Sequence, residues 1–221
     1  MASDTIKTSQ GNLVISFLGH SSLMMVWNGL TVHSDPVCSE ADYTKLPKAD
    51  IILISHDHYD HLDLKAVAHI RTAATKIVGN PDVAKQIPQS MVMKNCDKQT
   101  VGGLPIEAVP AYNIVHMASP GKPFHPKGVG NGYVVSFGDL RLYLAGDTEN
   151  TSEMKQLQNI DIAFLPMNLP YTMTPEMVAD AACAFQPKIL YPYHLGETDP
   201  STLVALLKDE QGIEVRIREM K

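Results

Sequence analysis

The seven residues Ser55-His56-Asp57-His58-Tyr59-Asp60-His61 restrict the chain more than any other stretch. They follow Ile51-Ile52-Leu53-Ile54, an apolar β-branched run that reads as a buried strand. They precede Leu62-Asp63-Leu64, where Asp63 is placed to cap a helix. Three imidazoles and two carboxylates therefore crowd one turn between a buried strand and a helix. Desolvating so many polar groups is costly unless something satisfies them, and a divalent cation is the simplest partner. Imidazole and carboxylate suit zinc, with manganese or iron as alternatives.

In extended backbone, residues two apart share a face, so His56 and His58 can converge on one ion. The chain must then turn, which carries Asp60 and His61 to a neighbouring position. One segment thus offers more ligands than a single tetrahedral zinc requires. The competing reading is a solvated loop that happens to be rich in histidine. Such a loop needs no particular spacing, and the spacing here favours the metal.

The pattern His56-x-His58-x-Asp60-His61 resembles the signature of the metallo-β-lactamase superfamily of hydrolases. Further markers follow in the same order along nearly the whole chain: Gly146-Asp147-Thr148 after one strand and Tyr193-His194 after another. Gly19-His20-Ser21-Ser22, Ser34-Asp35-Pro36 and the Asp63 that follows Leu62 are most similar to small stand-alone bacterial hydrolases. These are related to ascorbate-6-phosphate lactonase and N-acyl phosphatidylethanolamine phospholipase D. The resemblance implies an αββα sandwich: two mixed β-sheets face to face, helices outside, in an α/β (mixed α+β) chain forming a single domain over residues 1–221. It implies one metal held by His56 and His58, a second held by Asp60, His61 and His194, and Asp147 bridging them. Two zinc ions about 3.5–4 Å apart would share a water and acidify it, and the hydroxide would attack a carbonyl or phosphorus. Asp60 is the candidate to orient that nucleophile.

The chain departs from the family at one ligand. The usual third histidine of the first metal would follow Val109-Pro110, where Ala111-Tyr112-Asn113 stands instead. His125, in the rigid context Phe124-His125-Pro126, is the first candidate to replace it, and the Asn113 oxygen is the second. His116 reads as solvated loop, and His33 and His69 as ordinary surface or strand-end residues. His20 is either a donor supporting the metal ligands or a turn residue. Asp35 either orders a ligand imidazole or caps a turn.

The rest of the chain reads as a meander over residues 13–34 turned at Asn28-Gly29, then strands alternating with helices. Helical patterns cover 64–74, 81–86, 174–185 and 200–210. Residues 110–130 hold Pro110, Pro120, Pro123 and Pro126 with three glycines and read as a long irregular loop walling the site. Asn168 and Tyr171, in a second loop, are candidate hydrogen-bonding contacts for substrate.

Composition narrows the function. A formal net charge of -6 without a basic block argues against nucleic-acid binding, and so against a nuclease of the same superfamily. A diiron redox protein of that superfamily would carry a flavin partner domain, which this sequence lacks. A metal-stabilised binding module without turnover is the remaining rival. No apolar run approaches the roughly 20 residues that span a bilayer, and no signal peptide is visible at the start. The three cysteines Cys38, Cys96 and Cys183 are far apart and read as reduced thiols, two of them buried, in a cytoplasmic protein. The expectation is a metal-dependent hydrolase of a small ester, lactone, amide or phosphodiester. Its partner is a small-molecule substrate, with no nucleic acid and no membrane. A homo-oligomer is left open.

Overall fold

A computed structural model describes residues 2–220. Two seven-stranded sheets make up most of it. The first contains β1 (Ala2–Thr8), β2 (Gly11–Gly19), β3 (Ser22–Trp27), β4 (Leu30–Ser34), β5 (Ile51–Leu53), β6 (Lys76–Gly79) and β7 (Met91–Val92), in that order. The second contains β8 (Lys98–Val101), β9 (Leu104–Ala111), β12 (Gly130–Phe137), β13 (Leu140–Leu144), β14 (Ile162–Pro166), β15 (Ile189–Tyr193) and β16 (Glu214–Val215). Its order is β16-β15-β14-β13-β12-β9-β8. A small hairpin of β10 (Met117–Ser119) and β11 (Lys122–Pro123) stands apart. Five helices complete the chain: α1 (Leu64–Ile70), α2 (Pro81–Gln86), α3 (Ser152–Lys155), α4 (Pro175–Phe185) and α5 (Ser201–Leu206).

Both sheets follow one plan. The first four strands are antiparallel, and the last four, sharing a strand with them, are parallel. Alternation along the strands sorts the side chains into layers. Ile51 and Leu53 enter the central core with Leu142, Leu144, Ile162 and Phe164. The residues between them face outward: Ile52 and Ile54 pack with Ala66, Val67 and Ile70 of α1 and Val83 of α2. On the other side Tyr143, Ala163 and Leu165 pack with Val178, Ala181, Ala182 and Phe185 of α4. The result is the αββα sandwich expected from the sequence. Each large aliphatic or aromatic side chain fully buried in these layers contributes roughly 1.5–3 kcal/mol.

The local signals act where the sequence places them. Asn28 and Gly29 both have positive φ, as a two-residue hairpin turn demands. Asp63 caps α1 by accepting from the Lys65 N–H, and Thr174 caps α4 by accepting from the Met177 N–H.

Several boundaries differ from the sequence reading. The first described residues form a regular edge strand, β1, paired with Gly11–Phe17 of β2. Helix α1 ends at Ile70, short of 74. Thr75 Oγ1 accepts from the Thr72 N–H and donates to the Ala49 carbonyl, so this threonine pair holds a turn in place of another helical turn. Helix α5 covers Ser201–Leu206 only. The loop over 110–130 is not wholly irregular, since β9 runs to Ala111 and the β10–β11 hairpin lies inside it. All three cysteines are exposed, correcting the expectation that two are buried. His33 is buried on β4, not a surface residue. Its Nε2 faces the Pro47 carbonyl at 3.2 Å, and burial lowers its pKa to about 4. His69 is exposed, as expected. No helix among the described residues is long and apolar enough to cross a membrane.

Strand direction decides where chemistry can gather. β2, β4 and β5 run one way in the first sheet, and β9, β13, β14 and β15 share a direction in the second. His20 follows β2, Asp35 follows β4 and His56 comes shortly after β5. Asn113, Asp147 and His194 come shortly after the C-terminal ends of β9, β13 and β15. Open sheets containing parallel strands place ligand sites at such ends.

Candidate metal centre

The strand ends and the turns after them bring eight residues of one cluster together. His56, His58 and His125 form one group, and His20, Asp60, His61 and His194 another; within each, the potential ligand atoms lie within 4.8 Å of one another. His56, His61 and Asp147 form a third group on the same criterion, joining the first two. Asp147 sits between the sets. Its Oδ2 is 3.2 Å from His125 Nε2 and 4.0 Å from His56 Nε2. Its Oδ1 is 3.2 Å from His61 Nε2 and 3.4 Å from His194 Nε2. One carboxylate thus addresses two groups of imidazoles, one with each oxygen.

The outer nitrogens of the imidazoles are held by the protein. His61 Nδ1 lies 2.9 Å from Asp35 Oδ2, and His56 Nδ1 lies 3.0 Å from Ser55 Oγ. Asp35 also accepts from the backbone N–H and the hydroxyl of Ser55, each at 2.8 Å. It therefore orders a ligand-type imidazole rather than merely closing a turn. His125 Nδ1 lies 2.7 Å from Asn113 Oδ1, and the Asn168 amide lies 3.4 Å from His194 Nδ1. With their Nδ1 atoms held in this way, the Nε2 atoms turn inward. The Nε2 atoms of His56, His61 and His194 and Oδ1 of Asp147 are buried without a hydrogen bond of good geometry among the described residues. Buried polar atoms without partners are costly, and so many converging on one point fit a cation.

The electrostatics carry the same tension. Burial, then the neighbouring His61, push the His56 imidazole well below its ordinary range. Burial acts on His61 in the same direction, but Asp147 and Asp35 outweigh it and hold that imidazole well above the ordinary range. His194 is likewise raised, to about 9, because Asp147 and Asp60 outweigh its burial. Burial would raise Asp60 and Asp147, yet the imidazoles around each hold both carboxylates below their ordinary range. One buried and one half-buried carboxylate, both kept ionised within a ring of imidazoles, form a donor set suited to a cation.

The remaining residues sort as follows. His20 lies with its Nε2 3.4 Å from Asp60 Oδ2 and its ring 3.7 Å from that of His194, inside the cluster. Asn113 does not offer its oxygen to the first group, correcting that alternative. The oxygen accepts from the His125 backbone N–H at 2.8 Å as well as from its ring. Asn168 lies against His194, and Tyr171 presents an aromatic ring 5.0 Å from that of Phe124. His116 is not a solvated loop residue: its Nδ1 is 2.7 Å from Glu149 Oε1.

Glu149 was not singled out by the sequence, although it follows the ligand-bearing strand by only two residues after Asp147. Its buried carboxylate accepts from the backbone N–H groups of Ile114, Val115 and His116 and from the Asn113 amide. It ties the start of the long loop to the end of β13, and through Asn113 it braces His125. The one sequence signal for it was position, a carboxylate just past a buried strand end.

A sandwich of this kind with histidines and aspartates at the strand ends is the arrangement of the metallo-β-lactamase fold. A family profile described as the beta-lactamase superfamily domain matches residues 14–194. A UPF0173 metal-dependent hydrolase from Koribacter versatilis is 32% identical over 200 residues, covering 83% of this chain and 84% of that protein. The crystal structure of a protein assigned as a metal-dependent hydrolase from Parabacteroides distasonis superposes with a TM-score of 0.95. It has 48% identity and covers 100% of this chain and 99% of that one. Igni18, a metallo hydrolase from Ignicoccus hospitalis, shares the fold at a TM-score of 0.77 and 23% identity, covering 94% and 95% of the two chains. The chain belongs to the β-lactamase superfamily and, within it, to the UPF0173 metal-dependent hydrolase family.

Proposed function

We propose that this chain is a metal-dependent hydrolase whose cluster holds two divalent ions and which cleaves a small ester, lactone, amide or phosphodiester. The observation that carries the proposal is the placement of Asp147, one oxygen toward His56 and His125 and the other toward His61 and His194. A carboxylate that faces two imidazole sets can neutralise part of two adjacent positive charges. His56, His58 and His125 would hold the first ion; Asp60, His61 and His194 would hold the second. Zinc suits these nitrogen and oxygen donors, and manganese or iron would be accepted. When bound, the ions supply Lewis acidity that polarises the scissile bond and lowers the pKa of water.

The protein's own groups do the rest. Asp35 and Ser55 fix the His61 and His56 rings from behind, so the inward nitrogens keep their aim. Asn113 does the same for His125. Asp60, facing both His20 and His194 from the rim of the cluster, is placed to orient the attacking water. The 29% exposure of its side chain leaves it reachable from the cavity, where Asp147 is sealed at 4%.

The test is hydrolysis of a panel of small esters, lactones, amides and phosphodiesters by protein loaded with zinc, manganese or iron. Turnover that disappears on chelation, returns on metal addition and is lost in Asp60→Ala supports the assignment. Absence of turnover with every metal and every bond class, in protein shown to bind metal, sinks it and leaves a binding module.

A further inference from the structure

The cavity above the cluster has a volume of about 350 Å³, at the small end of the range for ligand pockets. Besides the metal-binding groups and Asn168, its wall consists of Tyr59, Phe124 and Tyr171. No lysine or arginine lines it among the described residues. The two lysines of the long loop are placed elsewhere. Lys127 is turned to Glu153 Oε1 at 2.8 Å and to the Tyr112 hydroxyl at 3.1 Å, and Lys122 lies exposed on β11. Sites built for phosphate or carboxylate groups place a guanidinium or ammonium against the anion, and nothing of that kind lines this cavity.

Apolar surface takes its place. Tyr59, Ile114, Val115, Met117, Leu169 and Tyr171 are all exposed. Each lies on one of three segments: the turn at 57–60, the loop from Asn113 to His125, and the loop after Asn168. These segments meet over the cluster. The Asn113 amide donates to the Tyr171 carbonyl at 2.8 Å, joining the second segment to the third. Met117 pairs with Pro123 next to Phe124, whose ring meets that of Tyr171 edge to face. Tyr59 is 87% exposed, directly after His58, where a solvated turn would favour a polar residue.

We infer that the substrate is a small uncharged ester, lactone or amide whose acyl side carries an apolar, preferably aromatic, group seated among Tyr59, Phe124 and Tyr171. This rests on the hydrolase reading above, and narrows it against phosphorylated and carboxylated substrates. Water adds its oxygen to the acyl carbon, the bond to the alcohol or amine breaks, and the leaving group takes up a proton.

The experiment compares methyl esters of phenylacetic acid, of malonic acid as its half-ester, and of phosphonoacetic acid on metal-loaded protein, followed by acid release. The phenylacetate ester is expected to show a KM at least about tenfold below the two anionic esters, the scale of one well-placed aromatic contact. Phe124→Ala and Tyr171→Ala should each raise the ratio of the phenylacetate KM to the malonate KM about tenfold, while Lys122→Ala leaves that ratio unchanged. A parallel calorimetric comparison of phenylacetone and levulinate, uncleavable analogues, reads the preference without turnover. Tighter phenylacetone binding with no ester cleaved would defeat the hydrolase reading and leave the cavity's preference standing. Equal or tighter binding of levulinate, or a preference for the malonate or phosphonate ester, overturns the inference. So does Tyr59→Ala abolishing binding to phosphatidylcholine vesicles without moving either KM, which would make the apolar rim a membrane-docking surface.

Discussion

Replacing Asn113 by alanine separates the ligand from its support. The side chain makes four hydrogen bonds. Its oxygen accepts from the backbone N–H and ring of His125, at 2.8 and 2.7 Å. Its nitrogen donates to Glu149 Oε1 at 3.1 Å and to the Tyr171 carbonyl at 2.8 Å. Glu149 keeps its bonds to Ile114, Val115 and His116, so the groups left without a partner are the buried His125 N–H and the Tyr171 carbonyl. At roughly 1–3 kcal/mol for the orphaned buried His125 N–H, and up to about 1 kcal/mol for the part-buried Tyr171 carbonyl that water can reach, the Asn113→Ala protein should lose about 2–4 kcal/mol of stability. That loss is read by urea unfolding of chelated protein. The His125 ring also loses the acceptor that fixes its tautomer, and outer hydrogen bonds of this kind change metal affinity by about 10- to 100-fold. Competitive metal titration should therefore show one of two ions weakened by that factor and the other unchanged. Asn113→Asp keeps the acceptor for His125 but sets an anionic oxygen against Glu149 and the Tyr171 carbonyl. It should lose at least as much stability while holding the first ion more tightly than the alanine variant does. If Asn113→Ala leaves both affinities within twofold of the parent, His125 is not positioned by Asn113, and the reasoning is wrong.

Three further outcomes follow from other parts of the molecule. The folded pKa of His33, about 4, lies below its ordinary 6.5, so the unfolded chain takes up the proton first as pH falls. The stability His33 contributes is complete above 6.5 and lost between 6.5 and 4, about 3 kcal/mol in all at roughly 1.4 kcal/mol per unit. His33→Phe should flatten the urea midpoint over that window relative to the parent, and an unchanged slope would contradict the burial argument. Asp147→Asn should weaken both ions, since each oxygen serves a different group; loss of only one ion would remove its bridging role. Asp4 on the edge strand binds Arg218 at 2.7 and 2.8 Å and also contacts Arg216 and Tyr191, tying the two ends of the chain together. Asp4→Ala should lower stability by about 1–3 kcal/mol, read by thermal unfolding, without altering metal content.

The parts of this molecule that were legible beforehand are those in which residue type, spacing and local structure agree. The turn after β5 announced itself because three histidines and two aspartates at that spacing follow a buried strand. Asp147 and His194 were legible for the same reason, each just past an apolar run. The sandwich was expected from the order of elements, a meander and then strands alternating with helices, and from the family resemblance; strands such as Leu140–Leu144 realise it by sending their two faces into different cores. What stayed hidden depends on contacts between distant segments. The place of His125 in the cluster is set by Asn113, twelve positions away, which is itself held by Glu149, a further 36 away. Within the proline- and glycine-rich loop only the rigid flanks Phe124 and Pro126 favoured His125 over His116, which is drawn off instead by Glu149. The burial of His33 likewise depends on Tyr43 and Pro47 closing over it from the following connection. Helix α1 stops early because a threonine pair outcompetes two alanines with high helix propensity.

The most direct measurement is metal content per chain, by elemental analysis, in protein purified without chelator and in His125→Ala. Close to two ions in the parent, falling toward one in the variant, is the result expected if Asp147 bridges two sites and His125 completes the first. A single ion that His125→Ala leaves in place would contradict a two-ion centre, and no tightly held ion at all would contradict the metal assignment itself.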